Sequence, residues 1–142
     1  MGIGALGIVC PRQRYDWARR CNSITKTVQD RIIAARYAQG WNYPASSVPA
    51  THDGSFEEFL ARRDALFRAC DRVGRDPATI TISVQLRAGD DTAARKATIP
   101  AVLDYVREGC THMILTMPAK FGADGLREIA EQVVTPLRDA GV

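Results

Sequence analysis

Apolar residues along the chain recur with two different periods, and the switches between them mark the elements. From Ile24 to Gln39 the positions Ile24, Val28, Ile32, Ala35 and Tyr37 to Ala38 fall near one helical face. Ile33 adds to the apolar content of this helix, and Gly40 is read as its left-handed stop. Trp41-Asn42-Tyr43 then forms a short strand before Pro44, which cannot extend a ladder. Residues 44–54 are rich in Pro, Ser, Thr and Gly and read as a loop. Ser55-Phe56-Glu57-Glu58 is a capping box. It opens a helix with the stripe Phe59, Leu60, Leu66, Phe67, Cys70 and Val73, which closes at Gly74.

The period then drops to two. Ile80, Ile82, Val84 and Leu86 point one way, and Thr81, Ser83, Gln85 and Arg87 point the other. After a polar connection with a short helix near Asp91, residues 99–108 read as a helix with Pro100 in its first turn. Thr111 to Met117 is the next strand, apolar on both faces like a buried parallel strand. His112 reads as a satisfied histidine at its start. Leu126 to Arg138 is a closing helix that Pro136 kinks or ends. Helices alternating with strands specify an α/β fold of parallel units. Gly2 to Cys10 fits a short buried strand, weakened by its glycines.

Composition narrows the chemistry. At 142 residues the chain suffices for one core but not for a complete eight-fold barrel of about 250 residues. The net charge is +3, yet residues 12–36 alone carry +5. That segment is a solvated helix face or a patch for an acidic partner, with nucleic acid the less favoured one. Cys10, Cys21, Cys70 and Cys110 form no C-x-x-C pair, and His52 and His112 lack metal-ligand spacing. A reduced, cytoplasmic protein without a metal is expected. The amino terminus lacks the basic region of a signal peptide. No run approaches the roughly 20 apolar residues of a membrane span.

Four stretches carry a resemblance. They are Ala34-Ala35-Arg36-Tyr37-Ala38-Gln39-Gly40-Trp41-Asn42; residues 67–80, which read FRACDRVGRDPATI; residues 109–115, which read GCTHMIL; and residues 131–138, which read EQVVTPLR. In this order they resemble the luciferase-like monooxygenases, flavin- or deazaflavin-dependent oxidoreductases on a (β/α)8 TIM barrel. The resemblance covers about residues 28–142 and corresponds to the last third or so of such a protein. It implies a partial barrel of about three C-terminal β/α units, with residues 1–27 an atypical segment outside the family pattern. Family members place a glycine-rich turn before the helix that leads to the Trp-Asn stretch. Here Asn22-Ser23-Ile24-Thr25-Lys26 stands there, with no glycine to bring backbone close to a phosphate.

Two functions follow as expectations. By resemblance, the chain is a fragment of an oxidoreductase using flavin mononucleotide or the deazaflavin F-420, inactive alone. The cofactor supplies hydride transfer or oxygenation of a small-molecule substrate, and the barrel positions and shields it. Trp41 and Asn42 would lie near the ring system, with Gln85 and Arg87 as polar contacts at the barrel mouth. Arg87 fits a phosphate or carboxylate contact there and a solvent-exposed position equally, whereas Trp41 fits a core position better than a ligand contact. The alternative is a small non-catalytic β/α domain that binds another chain or an acidic partner. Open sheet edges would favour homo-oligomers in either case.

Overall fold

The computed structural model describes residues 28–45, 54–117 and 119–142. The expectations for residues 1–27, for most of the loop after Tyr43 and for His52 lie outside the described residues. Helix α1 (Val28–Tyr37) leads into strand β1 (Gly40–Tyr43). Helix α2 (Phe56–Val73) and a short 3-10 turn precede β2 (Thr81–Arg87). Helix α3 (Thr92–Arg107) precedes β3 (His112–Thr116). The chain ends in α4 (Gly122–Ile129), a wide turn of five residues and α5 (Thr135–Asp139).

The three strands form one sheet in the order β1-β2-β3, and both pairings are parallel. Trp41 lies beside Ile82 and Tyr43 beside Val84, while Val84 and Leu86 lie beside Met113 and Leu115. This set is one face, and both hydrophobic clusters sit on it. The first joins Trp41, Tyr43, Ile82 and Val84 to α1, α2 and Tyr105 of α3. The second joins Val102 of α3 to Ile129, Val133 and Leu137, with Leu86, Met113 and Leu115 against them. The fold is thus α/β, with parallel strands and helices packed on one face.

Local chemistry explains the ends of α2. Ser55 Oγ accepts the Glu58 N–H at 3.0 Å. The Glu58 carboxylate reaches back to the Gly54 N–H at 3.1 Å and the Tyr43 hydroxyl at 3.0 Å, so the cap also ties the helix to β1. At the other end Gly74 takes φ 71°, and the Arg75 N–H reaches Cys70 O at 3.0 Å.

Four expectations are corrected. Gly40 is not the left-handed stop of α1; it is the first residue of β1 and lacks positive φ. Ile33 and Tyr37 do not pack inward, and Tyr37 is 71% exposed. The buried face of α1 consists of Ala34 and Ala35, continued by Ala38, whose small side chains let the helix lie close to its neighbour. Pro100 lies inside α3 rather than in its first turn, because Asp91 caps the helix so that it starts seven residues earlier than expected. Pro100 and Lys96, whose carbonyl loses its N–H partner, both face solvent. Finally, the closing helix starts at Gly122 rather than Leu126, and Pro136 does not end it. The helix widens over Ala130–Val134 instead, and the Thr135 N–H bonds to Ala130 O.

Candidate functional site

The face of the sheet opposite the helices carries Asn42, Ser83, Gln85, Arg87, His112, Ile114 and Thr116. Strand alternation puts them there, because each lies between two residues turned toward the helices. Ile114 is apolar yet belongs to neither hydrophobic cluster. The expectation that both faces of β3 are buried is therefore corrected: His112 is exposed, and Ile114 and Thr116 are only partly covered.

The parallel register arranges this face in rungs. Asn42, Ser83 and His112 form the first. Gln85 and Ile114 form the second, about 7 Å further along, and Arg87 and Thr116 the third. Ser83, only 5% exposed, is the centre of the first rung. Its Oγ lies 2.9 Å from Asn42 Oδ1 and 3.3 Å from Trp41 O. Donation to the amide oxygen fixes the Asn42 side chain and leaves its NH2 group as the donor for other contacts.

The structure brings Asn42 and Gln85 onto one polar face and sets Trp41 apart. Trp41 is 4% exposed, and its ring stacks on Phe59 at 5.9 Å, on the helix side of the sheet. Phe59 in turn meets the Tyr105 ring edge-on at 4.9 Å. Trp41 therefore holds β1 against α2, while Asn42 presents a polar group to the other side. Arg87 stands at the C-terminal end of β2 as expected. Its Nη2 contacts both carboxylate oxygens of Asp90 at 3.0 and 2.9 Å, and its side chain is 53% exposed. An anionic ligand there competes with Asp90 for the guanidinium.

The C-terminal rim contains a group that the sequence reading missed. Arg95 is buried and forms an ion pair with Glu128 of α4. Its Nε donates to Gly89 O at 3.2 Å, and its guanidinium lies 5.9 Å from the centre of the Phe121 ring. The signal was available: Arg95 falls on the buried stripe Thr98, Val102 and Tyr105 at helical spacing.

Titratable groups elsewhere serve packing. Burial, reinforced by the nearby Glu58 carboxylate, holds the Tyr43 phenol well above its ordinary range. Burial pushes Tyr105 up to about 12. Burial also raises the thiols of Cys70 and Cys110, which are free and buried. Neither is poised as a nucleophile. A groove of about 550 Å³ lies on the helix side of β3, lined mainly by apolar residues such as Val102, Val106, Met113 and Leu137. It lacks the converging polar groups of a chemical site. Among the described residues no three metal-ligating side chains cluster, and no helix is long and apolar enough to cross a membrane. Comparison with known protein families, curated proteins and solved structures finds no match to this chain.

Proposed function

We propose that residues 28–142 form three β/α units of a luciferase-like flavin- or deazaflavin-dependent oxidoreductase barrel. One observation carries this reading. Three successive parallel strands keep both hydrophobic clusters on one face and leave the other lined by Asn42, Ser83 and Gln85, with Arg87 at its end. An isolated two-layer domain has little use for a buried serine that holds a half-buried asparagine on the sheet face away from its helices. A barrel wall has such a use, since its inward residues meet those of other strands and its active site gathers at the C-terminal ends.

In this reading Asn42 and Gln85 are polar contacts for flavin mononucleotide or F-420, and Arg87 meets an anionic group of cofactor or substrate. Trp41 acts from behind, fixing β1 so that Asn42 keeps its place. The cofactor supplies the redox chemistry, and these residues bind and orient. The three strands of the described residues do not enclose a lumen, so these units by themselves are expected to have no turnover. The test is to join residues 28–142 to the missing β/α units of a luciferase-like oxidoreductase. The folded chimera should retain flavin mononucleotide or F-420 and lose it when Asn42 and Gln85 are both changed to Ala. A folded chimera that binds neither cofactor refutes the proposal.

A further inference from the structure

We infer that Arg95 is a strut that makes the two loops at the C-terminal rim, after β2 and after β3, move as one body. The inference stands independently of what the sheet face binds. The loop after β2 runs from Ala88 to the Asp91 cap of α3, and that after β3 runs to Phe121 and the start of α4. They belong to different β/α units. Arg95, at 3% exposure, is the charged residue buried between them.

The Arg95 guanidinium bonds in both directions. Nε holds the Gly89 carbonyl of the first loop. Nη1 pairs with Glu128 of α4, and the cation lies over Phe121 of the second loop. A cation removed from water needs these partners, since an unpaired buried charge is strongly unfavourable. Opening either loop alone would strip the guanidinium of part of its set. Two glycines close the fit. A Cβ on Gly89 would come within 2.3 Å of the Ala94 backbone, and one on Gly125 within 2.3 Å of the Phe121 Cβ. The loops are thus pressed against the helices that follow them, and Arg95 bolts the two helices together.

Hydrogen exchange on the full chain tests this without any ligand. Glu128→Gln keeps the shape and removes the charge; Arg95→Met removes the strut. In both variants, amides of residues 88–95 and 120–129 should exchange about ten-fold faster or more, and together. Amides of β1 and of β2 up to Val84 should keep the parent rate. Asp104→Asn, which breaks the exposed pair with Arg107, should leave both loops unchanged. If only one loop loosens, or neither does, the strut is refuted. Uniform acceleration through the whole sheet also refutes it, since that marks an ordinary stabilising residue. Should Arg95→Met fail to fold, Glu128→Gln decides by the same criteria.

Discussion

A single residue on the polar face shows how position and partner together set a role. Arg87 ends an alternating strand, so the chain pattern places it at the rim of the sheet. Its exposed pairing with Asp90 contributes little to stability, about 0–1 kcal/mol as for other surface pairs. Arg87→Ala should therefore leave the urea midpoint nearly unchanged. In the complemented barrel the same substitution should raise the cofactor Kd or the KM about ten-fold, the loss of one charge-assisted contact. Unchanged binding in a folded Arg87→Ala barrel would remove Arg87 from the site.

At the scale of elements, α2 is the best defined, and its termination is open to test. Gly74 has φ 71°, and nothing lies within 4 Å of an added Cβ. Gly74→Ala thus probes backbone strain without a steric clash, and should cost about 1–2 kcal/mol in urea unfolding. No loss of stability would mean that the helix ends otherwise. The aromatic layer between α2, α3 and β1 makes a second prediction. Tyr43, Tyr105, Cys70 and Cys110 all have raised values in the fold, from ordinary values of 10.0 for the phenols and 9.0 for the thiols. Above about pH 9 the unfolded chain loses these protons first, so the native state binds more of them. Stability is fully present below pH 9 and should fall as pH rises toward 12. Denaturant midpoints at pH 8 and pH 11 check the sign, and a midpoint that does not move contradicts it.

These elements also show what a sequence makes legible. The caps and stripe of α2 and the alternation of β2 rest on neighbouring residues, so local pattern suffices to read them. The inward face of α1 does not. Ala34, Ala35 and Ala38 are buried because a neighbouring helix lies close, while the bulkier Ile33 and Tyr37 dominate the apolar pattern and point outward. Local pattern puts Pro100 in a first turn and Pro136 at a kink or end, yet both lie within helices, one on a solvated face and the other after a widened turn. The polar set of β2 is legible, but its link to Asn42 depends on register between strands forty-one residues apart. Arg95 was missed because its partner Glu128 lies thirty-three residues away, on another unit.

At the scale of the whole molecule, the open sheet dominates. Among the described residues, the outer edges of β1 and β3 have no strand partner. β1 has four residues and is followed by Pro44. β3 reads HMILT, with no acidic residue, lysine or proline to blunt its edge. Association should therefore run through β3. Ile114→Lys should lower the apparent mass in concentration-dependent light scattering. If the parent is monomeric throughout, or the variant associates equally, the edge is not the interface.

The central claim is that Asn42, Ser83 and Gln85 line one wall of a site that the three strands do not close. A wall that no further strand faces among the described residues lacks the fully enclosed, low-dielectric surroundings that a cofactor's charged groups need for tight binding. The most direct measurement is a fluorescence titration of the purified chain with flavin mononucleotide and with F-420, with reductant added at the end. The expected result is no saturable binding at micromolar concentration and no turnover. Stoichiometric micromolar binding, with reductant-dependent turnover by a monomer, would show that the three strands enclose a working site unaided and would contradict the account.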